Sequence, residues 1–144
     1  MSEAPSAVLL DTCAVIWLAN GELGAETVEI IMRAALQEGI YVSAISAWEI
    51  GLLSRPKANK ATSLHFLPDP KTWFNRFMGG PGIKAAPFDG RIAVDASWLP
   101  GEFHNDPGDR LIVSTARHMQ VPVVTRDSKI IDYARSGHVG VIPC

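Results

Sequence analysis

Asp11, Glu49, Asp109 and Asp127 are the residues of this 144-residue chain that are hardest to place as ordinary surface acids. Asp11 directly follows the apolar run Ala7 to Leu10, and Asp127 comes two residues after Val123-Val124-Thr125. Each is an acid at the end of a short strand-like segment. On the segment that follows Tyr41-Val42, the residues Ile45, Trp48, Leu52 and Leu53 fall on one apolar helical stripe, and Glu49 occupies the i+4 place of that stripe. Asp109 shares a second stripe with Ile112, Val113 and Ala116. A carboxylate turned inward is costly unless it is paired or bound to a cation. Several brought together repel and raise one another's pKa, a penalty that a hard divalent cation removes. Oxygen ligands select Mg²⁺ or Mn²⁺ over zinc.

Each acid also has an ordinary explanation. Asp11 and Asp127 suit turns or helix N-caps. Ser46-Ala47-Trp48-Glu49 has the spacing of a capping box. In His104-Asn105-Asp106-Pro107-Gly108-Asp109-Arg110, a proline at the first helical position makes Asp106 the N-cap and sets Asp109 in the first turn, where the helix dipole favours an acid. The case for a site rests on the four together. The four histidines (His65, His104, His118 and His138) are scattered, and no histidine or cysteine cluster is expected to compete for a metal. Neither a Gly-x-Ser-x-Gly nucleophile turn nor a glycine-rich phosphate loop is present.

The elements that must position these acids follow from the apolar pattern. Strands are expected at Ala7–Leu10, Tyr41–Val42, Ile83–Ala86, Pro122–Thr125 and Val141–Ile142. Helices are expected at Ala14–Ala19, Thr27–Gln37, from Ser43 or Ser46 to Leu53, and over Pro70–Met78, Asp89–Trp98, Pro107–His118 and Ser128–Ala134. Gly79-Gly80-Pro81-Gly82 is a strong breaker between two of them. Alternation of strand and helix predicts an α/β sandwich with a parallel sheet covered on both faces. In such a sheet, ligands bind beyond the carboxyl ends of the strands, where Asp11 and Asp127 stand.

Composition bounds the alternatives. The length suits one domain over residues 1–144, and 47% hydrophobic residues suit a packed core. No apolar run reaches the length of a membrane span, and the N-terminus lacks the basic start of a signal peptide. Two distant cysteines, Cys13 and Cys144, exclude a disulfide framework and suit a reducing cytoplasm. A formal net charge of −2 argues against a bulk electrostatic nucleic-acid coat, so any such binding needs local basic patches and a cation.

Leu9-Leu10-Asp11-Thr12 with Trp17-Leu18, and then Val42-Ser43-Ala44-Ile45-Ser46-Ala47-Trp48-Glu49-Ile50, resemble the first two motifs of PIN-domain nucleases. The stretch from His104 to Val113 and Val124-Thr125-Arg126-Asp127 resemble the third and fourth. Order and spacing match across almost the whole chain, and the nearest branch is the VapC toxins of bacterial toxin–antitoxin pairs. The resemblance implies a three-layer α/β/α fold and Mg²⁺- or Mn²⁺-dependent cleavage of RNA by metal-assisted hydrolysis, without a covalent enzyme intermediate. It implies that Asp11, Asp109 and Asp127 are metal ligands, with Glu49 the fourth acid and Asp106 a secondary one. Thr12 and Thr125 would flank the pocket. Arg110, Arg126, Lys129 and the Arg55–Lys60 stretch would touch the RNA backbone.

The resemblance also implies a homodimer and a cognate VapB-type antitoxin, with Trp17, Trp48 and Leu53 as apolar candidates for such a surface, although core packing is the simpler expectation for at least two of them. Cys13 departs from the family pattern and is expected to be small packing. Two other functions remain open: a magnesium phosphatase working through an aspartyl phosphate on Asp11, though Cys13 then stands where a second acid is wanted, and a non-catalytic RNA-binding module.

Overall fold

The computed structural model describes residues 4–56 and 65–144. Within them five strands form one all-parallel sheet in the order β3-β2-β1-β4-β5. The strands are β1 (Ala7–Leu10), β2 (Gly39–Val42), β3 (Ile83–Ala85), β4 (Val123–Thr125) and β5 (Val141–Pro143). The helices are α1 (Thr12–Asn20), α2 (Ala25–Ala35), α3 (Ala44–Ser54), α4 (Pro70–Met78), α5 (Gly90–Ser97), α6 (Pro107–Met119) and α7 (Ser128–Ala134).

The short apolar runs become strands because every residue of β1 is buried, with alternate side chains serving opposite faces. Val8 and Leu10 join a core with Val15 of α1, Ile31 of α2 and Ile50 of α3. Leu9 joins a second core with Ile112 and Val113 of α6 and Ile130 and Tyr133 of α7. A strand covered on both sides needs no polar alternation, which is the signature of a parallel sheet between two helical layers. The expected α/β/α sandwich is therefore present.

The helices start where side chains can accept the unpaired N–H groups of the first turn. Asp69 and Asp89 cap α4 and α5, and Ser43 caps α3 through Ile45 N. Capping by Ser43 places Ser46 inside the first turn, so the capping box offered as the ordinary explanation of Glu49 does not form. The buried side of α3 also differs from expectation. It runs through Ser46 and Ile50 toward Leu53, about one residue round from the Ile45–Trp48–Leu52 stripe, and Trp48 is 58% exposed. Two small hydroxyls explain the rotation. Thr12 Oγ1 and Ser46 Oγ meet at 3.0 Å, an approach of α1 to α3 that a tryptophan on that face would prevent.

Chain order sets the position of the cleft. β1 has β2 on one side and β4 on the other, so the connections leaving β1 and β4 diverge beyond their carboxyl ends. This topological switch point is where open parallel sheets hold ligands. No helix among the described residues is long and apolar enough to cross a membrane.

Candidate active site

Asp11 is the first residue beyond β1 and the N-cap of α1. Its Oδ1 accepts from Ala14 N at 2.8 Å, and its Oδ2 accepts from Thr125 Oγ1 at 2.5 Å. Asp127 lies two residues beyond β4 and caps α7 by accepting from Lys129 N at 2.8 Å, while its own N–H donates to Thr125 Oγ1 at 3.0 Å. The ordinary reading of these acids as caps is thus correct, and it is also what fixes them at the cleft. A carboxylate has two oxygens and several lone pairs, so capping with one oxygen leaves capacity for a cation.

Asp106 caps α6 by accepting from Asp109 N at 2.9 Å and is exposed. Asp109, in the first turn of α6, turns into the cleft. Glu49 reaches the same space from α3, where Thr12 Oγ1 donates to its Oε1 at 2.5 Å. Its other oxygen presses on the backbone of α6: a Cβ added at Gly108 would lie 2.7 Å from Glu49 Oε2. Together Asp11, Thr12, Cys13, Trp17, Glu49, Asp109, Ile112, Arg126 and Asp127 line an open cleft of about 320 Å³.

The electrostatics are those of acids held too close. Burial raises the pKa of Asp11, opposed by the hydrogen bonds from Thr125 and Ala14 and reinforced by the charges of Asp127 and Glu49. Asp109 is pushed up to about 7, first by burial, then by the charges of Asp106 and Asp127, a hydrogen bond shared with Asp127, and the charge of Glu49. Carboxyls that share a proton at neutral pH are groups that gain from a divalent cation in its place. A donor set of this kind fits a hard or borderline metal ion.

Two residues stand at the site in ways the sequence did not signal. Cys13 is exposed at the cleft and is not packing. Burial and the charges of Asp11, Glu49, Asp109 and Asp127 all push its thiol up, which keeps it protonated. His104 is the second: the histidines were expected to be scattered, and this one lies beside two of the acids. Its ring nitrogen and the carboxylate oxygens of Asp109 and Asp127 all lie within 4.8 Å of one another. Its sequence signals were its place five residues before Asp109 and at the start of the third motif, and neither says where a loop side chain turns.

Of the expected RNA contacts, Arg110 is used internally. Its Nε donates to Ala96 O at 2.8 Å, and its Nη1 donates to Phe103 O and His104 O at 3.0 and 3.1 Å. Arg126 lines the cleft, but it also donates to Cys144 O at 2.9 Å and to Glu22 O at 3.2 Å and stacks over Trp17 at 3.9 Å. Lys129 is exposed beside Asp127, and so is Arg55, whereas Lys57 and Lys60 lie outside the described residues. Trp17 and Leu53 are half-buried against the core, as the simpler expectation had it.

A family model for the PIN domain matches residues 8–136. No curated protein matches the chain. Among solved structures, VapBC2 from Rickettsia felis, bound to a DNA fragment from its promoter, is similar with a TM-score of 0.66 and 16% identity over 95% of this chain and 98% of that one. FitAcB from Neisseria gonorrhoeae is similar with a TM-score of 0.55 and 21% identity over 94% and 96% of the two chains. FitAB bound to an IR36 DNA fragment gives 0.52 and 20% identity over 94% of each chain. At these identities the likeness is one of fold.

Proposed function

The chain belongs to the PIN domain family, whose members are in general nucleases, and on that premise we propose that it is a Mg²⁺- or Mn²⁺-dependent endoribonuclease, the toxin of a VapBC-type pair. The observation that carries the reading is the convergence of Asp11, Glu49, Asp109 and Asp127 on one cleft at the switch point of the sheet.

A bound divalent cation supplies a lowered pKa for its water and positive charge to offset that developing on the phosphate. The chain's own residues divide the remaining tasks. Asp11, Asp109 and Asp127 hold the cation and, once it is bound, are freed of their mutual repulsion. Glu49, fixed by Thr12 through Oε1, stands at the cleft to orient or deprotonate water. Both oxygens of Asp11 already accept hydrogen bonds, which suits a held ligand better than the attacking nucleophile of a phosphatase. The protonated thiol of Cys13 makes it a poor nucleophile as well.

This reading implies a cytoplasmic protein, an RNA substrate, a VapB-type antitoxin and a second copy of the chain as partners. The exposed indole of Trp48, on α3, offers apolar surface for one of these contacts.

The test uses the full chain with RNA in the presence of Mg²⁺ or Mn²⁺, with a chelator, and as the Asp11→Asn variant. Asparagine keeps the cap of α1 but not the charge. Cleavage is expected with metal, and it should disappear with the chelator and in Asp11→Asn at an unchanged melting temperature. Wild-type cleavage by Asp11→Asn would overturn the assignment. For the toxin role, induced expression should arrest growth and create new RNA 5′ ends, and arrest without new ends would count against it.

A further inference from the structure

Arg126 is a cation beside four acids that does not pair with any of them. It lines the cleft next to Asp127, yet among the described residues it forms no ion pair. Its Nε and Nη2 donate instead to the carbonyls of Cys144 and Glu22, at 2.9 and 3.2 Å. Those two bonds fix the plane of the guanidinium. Its central carbon lies over the indole of Trp17, 3.9 Å from the ring centroid.

Trp17 is anchored from behind. Its ring is half-buried against the core, and its carbonyl accepts from Glu22 N at 2.8 Å, in the same turn whose carbonyl holds Arg126. Arg126 itself is exposed. With one face on the indole and two donors on carbonyls, the guanidinium turns its other flat face to the open side of the cleft. A phosphate would be gripped by the fork of Nε and Nη2, which is already taken. A flat face is what an unpaired base needs, since bases stack on guanidinium planes as well as on aromatic rings. The surface is also preorganised, so little freedom is lost when a ring settles on it.

We propose that the open face of the Arg126 guanidinium, backed by Trp17, is a stacking platform for one nucleobase of the RNA. The proposal rests on the reading of the cleft as a nuclease site and changes the role of Arg126 there, from a backbone contact to a base contact. Arg126 touches the substrate, and Trp17 is a positioning residue that acts through it. A base inside a duplex has both faces covered by its neighbours, so the platform takes an unpaired one.

The probes are a short oligoadenylate and the base-free ribose-phosphate chain of the same length. Both are bound to the full chain carrying Asp11→Asn, so that neither is cut. The difference between their affinities is the contribution of the bases, and oligoadenylate is expected to bind roughly tenfold or more tighter. Arg126→Lys keeps the charge and loses the plane, so it should erase most of this preference while base-free binding changes little. Trp17→Phe should keep the preference and Trp17→Leu should lower it, which carries the test if Arg126→Lys fails to fold. Equal affinity for the two probes, or a preference that survives unchanged in these variants, would overturn the proposal. So would a loss shared equally by both probes, the mark of a structural brace. Cleavage of RNA by the wild-type chain with Mg²⁺ or Mn²⁺ is read separately. Cleavage without a base preference leaves the nuclease reading standing, and a preference without cleavage leaves the platform and overturns the nuclease.

Discussion

Thr125 Oγ1 on β4 donates a 2.5 Å hydrogen bond to Asp11 Oδ2 at the end of β1, joining residues 114 positions apart in the chain. The same hydroxyl accepts from Asp127 N, so one side chain positions two acids of the cleft. Thr125→Val keeps the shape and removes both bonds. A buried hydrogen bond to a charged group is worth about 1.5–3 kcal/mol, and stability should fall by roughly that much in chemical denaturation. Because that hydrogen bond lowers the pKa of Asp11, its loss should also move the acidic limb of the cleavage profile to higher pH.

The proton affinity of Asp109 makes the stability of the metal-free protein depend on pH. Its carboxyl goes from 3.8 to about 7 on folding, so between these values the folded state binds more protons than the unfolded one. Stability must then decline as pH rises from about 4 to about 7 and level off above. Urea titrations with a chelator should show the decline. Asp109→Asn should flatten it, and Mn²⁺ should restore stability at pH 8.

Gly108 separates folding from chemistry. Gly108→Ala places a methyl group 2.7 Å from Glu49 Oε2, and the flexible end of that side chain must yield, drawing Glu49 away from Thr12. Alanine in a helix is more favourable than glycine by up to about 1 kcal/mol, so the melting temperature should hold or rise. A misplaced catalytic acid costs rate steeply, and cleavage should drop by about a hundredfold. Equal losses of stability and activity would contradict this account.

The basic residues near the cleft should divide by role. Lys129→Gln is expected to lower the salt dependence of RNA binding by about 0.7 in the logarithmic slope, the effect of one phosphate contact on a single strand. Arg126→Gln should lower the melting temperature instead, because Arg126 ties the C-terminal residue and the turn after α1 to the edge of the cleft. Filter binding at several salt concentrations, together with thermal melts, distinguishes the two.

Much of this molecule is determined locally and was legible as sequence. Apolar runs too short for helices became strands, with β1 and β4 buried along their whole length. Asp69-Pro70 and Asp106-Pro107 started helices as an acid before a proline should. Asp11 and Asp127 stood at strand ends because capping depends only on neighbouring residues. Tertiary structure decided what depends on distant partners. Which side of α3 is buried followed from the close approach of Thr12 and Ser46, and it sent Trp48 outward against the apolar pattern. Cys13 proved to be a cleft residue because Asp11 caps α1 and the helix begins at Thr12. His104 reached the acids because Arg110 holds its loop, an arrangement without periodicity to betray it. The acids themselves could be named from the sequence, but their crowding could not, since repulsion depends on distance through space and the order of strands in the sheet sets that distance.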